Sequence, residues 1–184
     1  AAFRRMVRQV EFDVCELAPT TYMIARAYGA PFCALPIFIF RRFHHGGLLL
    51  HPDSGIRVPK DLEGKRVGVQ EYRQTAGVWV RGILQHDYGV NLDTIQWVEG
   101  GVNEPLAPDH DMDLRPVRPL KLELIPSDRT LNDMLEAGEI DAYFGARRPQ
   151  ALDKGKNVAR LFPDYRAREK ASDHAPTWIM LRDS

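Results

Sequence analysis

The chain has 184 residues, a length typical of one domain or of two small lobes. Its 25 Lys and Arg residues balance its 25 Asp and Glu residues, so no net charge favours nucleic acid or an anionic membrane as a partner. With 44% hydrophobic and 27% charged residues, the composition is that of a globular chain, and no apolar run is long enough to predict a membrane-spanning helix.

The first forty residues are predicted to form two strands with a helix between them. Residues 11–17 form the first predicted strand. A helix is predicted from Pro19 to Tyr28 and ends at Gly29, because Pro in the first turn and Gly after the last turn are the usual helix signals. The nearly continuous apolar run over residues 32–40 predicts a strand buried on both faces.

The two cysteines lie within these two apolar runs. Cys15 is in the first run and Cys33 is in the second. A cysteine in an apolar strand behaves as a small hydrophobic residue, so we expect two buried free thiols in preference to a disulfide.

The middle of the chain repeats the alternation of strands and helices. Strands are predicted over residues 47–50, 66–70 and 95–98. Thr75 is a candidate N-cap for a helix that continues to Tyr88, and its apolar residues recur every three to four positions on one face. This order of elements is typical of an α/β sheet with mostly parallel strands.

The last part of the chain continues the same pattern after a long loop. Residues 100–119 contain four prolines and several aspartates, and they predict an exposed loop. Residues 120–124 predict a strand, Ser127 is a candidate cap for a helix that ends at Gly138, and residues 140–144 predict another strand.

Two parts of the sequence indicate chemistry. The adjacent His44 and His45 are candidates for a proton donor or a substrate contact, and a shared metal is a weaker interpretation because neighbouring histidines point apart. The predicted helix starts at Thr20 and Thr75 each follow a strand, where exposed backbone N–H groups can bind a carboxylate or phosphate. Residues 109–113 do not fit a calcium loop, because its required Gly and Glu positions are both occupied by leucine.

Several segments resemble known families. Asp61–Val69 and Leu135–Ala142 are similar to the recurrent D-L-x-G-K-x-V-G-V and L-x-x-G-E-I-D-A elements of type II periplasmic solute-binding proteins. More specifically, Phe43–Gly46 and Thr75–Leu84, with Phe12–Glu16, Thr20–Tyr22, Ala34–Phe38 and Leu161–Asp164, resemble the 4,5-dihydroxyphthalate decarboxylase family. The resemblance covers about residues 3–170 and implies two α/β lobes around a ligand cleft, with the family's first strand and helix lacking here.

The resemblance also implies a division of the chain and a reaction. Residues 1–40 would belong to lobe 1, residues 41–145 mainly to lobe 2, and residues 146–184 would return toward lobe 1. The implied reaction removes one carboxylate as CO2 from a dihydroxylated aromatic dicarboxylate, by proton addition at the ring carbon that bears it. This chemistry needs a proton donor, a proton acceptor for the phenol and donors for the retained carboxylate, but no cofactor and no metal.

We therefore assign candidate roles to ten residues. The candidate catalytic residues, with a histidine as proton donor and a glutamate as acceptor or orienting group, are His44, His45, Glu16 and Glu71. The candidate substrate-binding residues are Thr20, Thr21, Arg42, Thr75, Ala76 and Arg81. The arginines are included because a planar guanidinium matches a carboxylate.

The expected partner is a small aromatic dicarboxylate, with neither nucleic acid nor membrane, while a homo-oligomer stays open. The main alternative is a solute-binding protein or sensor domain for a small organic anion, because one fold can carry several functions. The enzyme would be cytoplasmic and the solute-binding protein periplasmic. A pyrimidine-precursor synthase on the same fold is a second alternative, although the sequence contains no cysteine cluster.

Overall fold

The computed structural model describes residues 2–37, 43–106 and 121–172. In these residues the helices are α1 (Ala2–Gln9), α2 (Pro19–Ala27), α3 (Thr75–His86), α4 (Leu131–Glu136), α5 (Gln150–Asp153) and α6 (Tyr165–Ala171). The strands are β1 (Leu48–Leu50), β2 (Arg66–Val69), β3 (Gln96–Glu99), β4 (Leu122–Leu124), β5 (Ala142–Phe144) and β6 (Ala159–Arg160). The predicted mixed α/β class is therefore confirmed. None of the described helices has the length and apolar character needed to cross a membrane.

One six-stranded sheet organises the described residues, in the order β4-β3-β2-β5-β1-β6. The four strands β4, β3, β2 and β5 are parallel to one another, as the sequence predicts. β1 is antiparallel both to β5 and to β6. Because β1 runs the opposite way, its first residue lies beside the last residue of β5. We call this side of the sheet, where β2, β3 and β5 end, the carboxyl edge.

Both faces of the sheet are covered, which explains why its central strands read as continuous apolar runs. Successive side chains in a strand point to opposite faces, so Leu48 and Leu50 pack on one side and Leu49 on the other. The first side also contains Val67, Val69, Val80, Leu84, Trp97 and Phe144, and α3 lies over it. The second side contains Val98, Leu131, Met134, Leu135, Ile140 and Tyr143, and α4 lies over it.

The two strands predicted before residue 41 are wrong for the residues that the structure describes. Residues 11–17 and 32–37 form no strand, while 38–40 lie outside the described ranges. Val14 is 77% exposed and Ile37 is 68% exposed. An apolar run becomes a strand only when another strand pairs with it, and no described strand pairs with either segment. Cys15 and Cys33 are free, as predicted, but Cys15 is half-buried and Cys33 is exposed rather than buried.

The helix caps also differ from the prediction. Gln74, not Thr75, is the N-cap residue of α3, and Thr75 is its first helical residue. Thr130, not Ser127, caps α4, because its hydroxyl accepts a hydrogen bond from the Asp133 N–H at 3.2 Å. The first residues of the predicted exposed loop are buried through Val102, and residues 107–120 lie outside the described ranges.

Candidate active site

A cavity of about 630 Å³ opens at the carboxyl edge of the sheet. It is lined by Phe43, His44, Gly46, Gly47, Leu49, Ala76, Val80, Tyr143, Gly145, Ala146, Arg147, Arg148, Leu152, Asp153, Arg160 and Tyr165. Ligands in open α/β sheets bind beyond the carboxyl ends of the strands, so the position of the cavity agrees with the fold.

Strand pairing brings three distant parts of the chain to this cavity. Leu48 at the start of β1 pairs with Phe144 at the end of β5, which places the turn before β1 beside the loop after β5. Arg160 at the end of β6 pairs with Leu49. Because β1 is antiparallel to both neighbours, its beginning and their ends meet at the carboxyl edge.

The two adjacent histidines have different environments. His44 is half-buried and lines the cavity. His45 is 2% exposed and does not line it. The His45 Nδ1 atom lies 2.5 Å from Glu169 Oε2, and its Nε2 atom lies 3.2 Å from the Tyr88 hydroxyl. Both ring nitrogens of His45 are therefore occupied inside the protein, and His44 is the histidine that a ligand in the cavity can reach.

Glu169 connects this histidine pair to α6. Its Oε2 atom also accepts the backbone N–H groups of His44 at 3.0 Å and His45 at 2.9 Å. Burial opposes ionisation, but these hydrogen bonds and the His45 ring hold the pKa of Glu169 below its usual value.

Three arginines give the cavity its charge. Arg147 and Arg148 lie in the loop after β5, separated from its end by two residues, and Arg160 ends β6. Arg148 Nη1 lies 3.1 Å from Asp153 Oδ1, while Arg160 donates a hydrogen bond to the Gly46 carbonyl. The cavity wall therefore carries more positive than negative side chains.

The loop that carries two of these arginines is held by hydrogen bonds to its backbone. The Tyr143 hydroxyl donates to the Arg147 carbonyl at 2.8 Å. Asn103 Nδ2 donates to the Arg148 carbonyl at 2.9 Å, and Asn103 Oδ1 accepts from the Gln150 N–H at 2.9 Å. These hydrogen bonds fix the backbone of the loop after β5, and none of them uses a guanidinium group.

The two helix starts predicted to bind carboxylates lie against each other. Thr20 and Thr75 hydroxyl oxygens are 2.7 Å apart, and the Thr20 N–H donates to Thr75 Oγ1 at 3.3 Å. Thr20 Oγ1 also donates to the Arg73 carbonyl at 3.1 Å. These hydroxyls bond to one another across the junction of α2 and α3. Neither threonine lines the cavity, whereas Ala76, in the first turn of α3, does.

Arg81 is buried beside this junction. It is 8% exposed, and its guanidinium carbon lies 3.7 Å from the centre of the Tyr72 ring and 5.8 Å from that of Trp97. Its buried Nη1 atom has no hydrogen-bond partner in the described part of the chain. Burial lowers the pKa of Arg81 to about 10. Arg81 does not line the cavity, so it is separate from the three arginines there.

The remaining predicted site residues lie away from the cavity or outside the described ranges. Glu16 is exposed in the segment before α2, while Glu71 and Thr21 are half-buried and do not line the cavity. Arg42 lies outside the described residues, as does the aspartate-rich segment 109–113. In the ranges that the structure describes, no group of three or more His, Cys, Asp or Glu side chains could hold a metal ion.

The sequence analysis did not identify the three cavity arginines, and the local sequence indicates only two of them. Arg147 and Arg148 follow the predicted strand 140–144 after two intervening residues, at the end where α/β sheets bind ligands. Arg160 and Tyr165 carry no such local signal. They reach the cavity through the pairing of β6 and the docking of α6, which the sequence pattern does not specify.

The chain was also compared with known proteins. No family model matches it. A protein named 4,5-dihydroxyphthalate decarboxylase from Comamonas testosteroni is 40% identical over 164 residues, which cover 88% of this chain and 49% of the relative. A protein of the same name from Pseudomonas putida is 37% identical over 164 residues, covering 88% of this chain and 63% of the relative. The chain therefore spans less than two thirds of the length of either relative, and within that span it is similar to proteins named 4,5-dihydroxyphthalate decarboxylase.

Proposed function

We propose that this protein decarboxylates a hydroxylated aromatic dicarboxylate, converting 4,5-dihydroxyphthalate to protocatechuate and CO2. The observation that carries the proposal is the 40% identity over 164 residues to a relative that bears this name. The histidine and three arginines around the cavity support it, because they supply a proton donor and carboxylate-binding groups at one place.

The cavity suits a small dianion in size and in charge. Its volume of about 630 Å³ lies within the range that holds small organic ligands. Arg147, Arg148 and Arg160 can form charge-assisted hydrogen bonds with carboxylates, and a guanidinium can bind both oxygens of one carboxylate. Phe43 and Tyr165 add aromatic surface against which a benzene ring can pack.

The reaction can be written with the groups present at the cavity. Protonated His44 donates a proton to the ring carbon that bears the leaving carboxylate. Each such carbon has a hydroxyl group para to it, and the para oxygen neutralises the positive charge that protonation creates. The bond from the ring carbon to the carboxylate then breaks, its electron pair restores the aromatic ring and CO2 leaves, while the acceptor returns the phenolic proton to the para oxygen. The arginines hold the second carboxylate throughout.

The proton acceptor for the phenol is assigned to Asp153. Asp153 lines the cavity, whereas Glu16 and Glu71 do not. Its Oδ1 atom lies 3.1 Å from Arg148 Nη1, so the carboxylate group stands beside one of the arginines proposed to bind the substrate. The other roles first assigned stay predictions, namely those of Glu16, Glu71, Thr20, Thr21, Arg42, Thr75 and Arg81.

The finer features of the fold are part of the same proposal. The similarity to the two decarboxylases supports a type II periplasmic-binding-protein-like fold with two lobes around the cleft, divided as residues 1–40, 41–145 and 146–184. A cytoplasmic location stays a prediction that follows from the enzyme interpretation.

Release of CO2 from 4,5-dihydroxyphthalate by the purified full-length protein tests the function. We expect turnover, and we expect His44→Ala to lower kcat roughly 10²-fold or more with a smaller change in KM. His86→Ala is the matched control, because His86 is exposed at the end of α3 and does not line the cavity. Binding of the diacid without CO2 release would overturn the enzyme proposal in favour of a solute-binding protein. Unchanged kcat in His44→Ala would remove His44 from the chemistry.

A further inference from the structure

We propose that Glu169 is a positioning residue that holds His44 in the cavity wall for proton transfer, an inference that rests on the proposed function. Glu169 is 0% exposed, lies on α6 and does not line the cavity. The reaction as written above does not use it. Its contacts nevertheless lie directly behind the proposed proton donor.

A single carboxylate oxygen of Glu169 receives three hydrogen bonds. Oε2 accepts the backbone N–H of His44, the backbone N–H of His45 and the His45 ring Nδ1–H, at 3.0, 2.9 and 2.5 Å. The other oxygen, Oε1, is buried and has no partner in the described part of the chain. The carboxylate is therefore directed at the His44–His45 backbone and not at a network of its own.

These bonds determine where the His44 ring can lie. His44 is the N-cap residue of the short 3-10 helix His45–Gly47, and no side chain of that helix caps its first N–H groups. Glu169 supplies the missing acceptor from a different element. With the His44 backbone fixed, rotation of its side-chain bonds is the freedom that remains to its ring.

Helix α6 holds the same turn at a second point. A Cβ atom added to Gly46 would lie 2.7 Å from the Tyr165 ring, so the turn packs closely against α6. Arg160 also donates a hydrogen bond to the Gly46 carbonyl, and its guanidinium carbon lies 5.3 Å from the centre of the Tyr165 ring. Glu169 therefore holds the turn at His44 and His45. Tyr165 and Arg160 contact it at Gly46.

Stability alone does not account for a carboxylate at this position. Burying a carboxylate requires removing its charge from water, and well-packed apolar side chains of similar volume are often at least as stable. The buried carboxylate here also leaves Oε1 without a partner, which adds to the desolvation cost. A carboxylate can accept directional hydrogen bonds from the backbone of His44, and apolar side chains cannot.

The test compares kinetics and the state of the His44 ring in four variants of the full-length protein. Glu169→Gln removes the charge, and Glu169→Asp keeps it on a shorter side chain. Tyr88→Phe removes the bond on the far side of His45 without touching the His44 backbone. Glu139→Gln removes an exposed carboxylate paired with Arg129 far from the cavity. For each protein, kcat and KM for CO2 release and the pH dependence of the His44 ring NMR signals are measured.

We expect kcat of Glu169→Gln to fall about tenfold or more, with KM changed less than about threefold, because second-sphere partners typically act on this scale. The His44 ring signals should shift in Glu169→Gln, and Glu169→Asp should recover part of both effects. Tyr88→Phe and Glu139→Gln should keep kcat within about threefold. If Glu169→Gln does not fold, an intermediate kcat in folded Glu169→Asp supports the proposal, whereas an unchanged kcat there overturns it.

Other outcomes separate this inference from the proposed function. The inference would be overturned if folded Glu169→Gln had the same kcat and the same His44 NMR signals as the control Glu139→Gln. Equal losses in Glu169→Gln and Tyr88→Phe would also overturn it, because they would indicate general loosening of the buried cluster. If the unmodified protein releases no CO2, the proposed function fails. The NMR comparison then still decides whether Glu169 positions His44.

Discussion

At the scale of single residues, the contact between Thr20 and Thr75 joins two helices through hydroxyl groups. The Thr20 side chain is 4% exposed, and its oxygen lies 2.7 Å from that of Thr75. We expect Thr20→Val and Thr75→Val each to lower the free energy of unfolding by about 1–2 kcal/mol, because each removes the hydrogen bond between the two hydroxyls. The double variant should lose less unfolding free energy than the two single variants together, by about 0.5–1.5 kcal/mol, as found for residues in contact. Urea denaturation of the four proteins measures this coupling.

Two controls accompany this double-mutant cycle. Thr75→Ser keeps the hydroxyl and should change stability by less than about 0.5 kcal/mol. Thr94→Val combined with Thr75→Val should be additive, because the Thr94 hydroxyl bonds to the Asn91 carbonyl elsewhere in the fold. Strict additivity of the Thr20 and Thr75 variants would show that the observed contact contributes no coupling energy.

A second residue-scale prediction concerns the buried Glu169 and pH. The pKa of Glu169 is lower in the folded protein than its ordinary value of 4.5. The stabilisation that its ionised form provides is therefore fully present above about pH 4.5 and is lost as the pH falls through the folded-state pKa. We expect Glu169→Gln to lower the free energy of unfolding by about 1.5–3 kcal/mol at pH 7, the usual scale for a hydrogen bond to a charged group. The difference from the unmodified protein should shrink as the pH is lowered toward 3.

Denaturation curves at pH 7, 5 and 3 measure this difference. Glu139→Gln is the control, because Glu139 also has a lowered pKa through its bond with Arg129 but lies on the surface. Its effect on stability should be much smaller than that of Glu169→Gln at every pH. A difference for Glu169→Gln that stays constant from pH 7 to pH 3 would contradict the linkage argument.

At the scale of elements, two glycines in different surroundings predict opposite effects of the same substitution. A Cβ on Gly47 would lie 2.8 Å from the Gly145 carbonyl oxygen, because the beginning of β1 and the end of β5 approach closely at the cavity. Gly47→Ala should therefore destabilise the protein by roughly 1–3 kcal/mol. Gly82 lies inside α3 with open space where a Cβ would be, so Gly82→Ala should stabilise it by about 0.5–1 kcal/mol. Thermal denaturation of both variants gives the signs, and destabilisation by both would contradict the described packing.

The helices and central strands were predictable from sequence because their signals are local. Gly29, Gly89 and Gly138 have positive φ angles of 84°, 64° and 72° just beyond the helices whose ends they were predicted to mark. The predicted strands at 11–17 and 32–40 depended instead on a pairing partner, which an apolar run does not reveal. Thr75 shows the same limit of local prediction. Its hydroxyl bonds to Thr20, a tertiary contact, and does not cap its own helix.

At the scale of the whole molecule, the cavity arises from strand order and direction rather than from a sequence motif. The sequence identified His44 and Ala76, which line the cavity, on the basis of neighbouring residue types. It did not identify Arg160, because that residue reaches the cavity only through the antiparallel pairing of β6 with β1. It also did not separate His44 from His45, since the burial that distinguishes them depends on α6, more than 100 residues later.

The charge of the assembled cavity leads to a prediction about ligand class. Arg147, Arg148 and Arg160 face a space with Asp153 as a carboxylate on its wall. A diacid can satisfy two cationic groups where a mono-acid satisfies one, and a hydrogen bond to a charged group contributes about 1.5–3 kcal/mol. Calorimetry on the full-length protein should therefore show phthalate binding at least about tenfold more tightly than benzoate. Raising the salt concentration should weaken phthalate binding more than benzoate binding, because screening acts on each ion pair.

Single arginine variants test which side chain causes the preference for phthalate over benzoate. Arg147→Met should reduce the advantage of phthalate over benzoate, because methionine keeps much of the apolar stem and loses the charge. Arg57→Met is the matched control, since Arg57 is exposed and does not line the cavity. Its phthalate affinity should stay within about twofold of the unmodified protein. Equal affinity for the two acids, or an equal effect of both arginine variants, would show that the cavity does not recognise a second carboxylate.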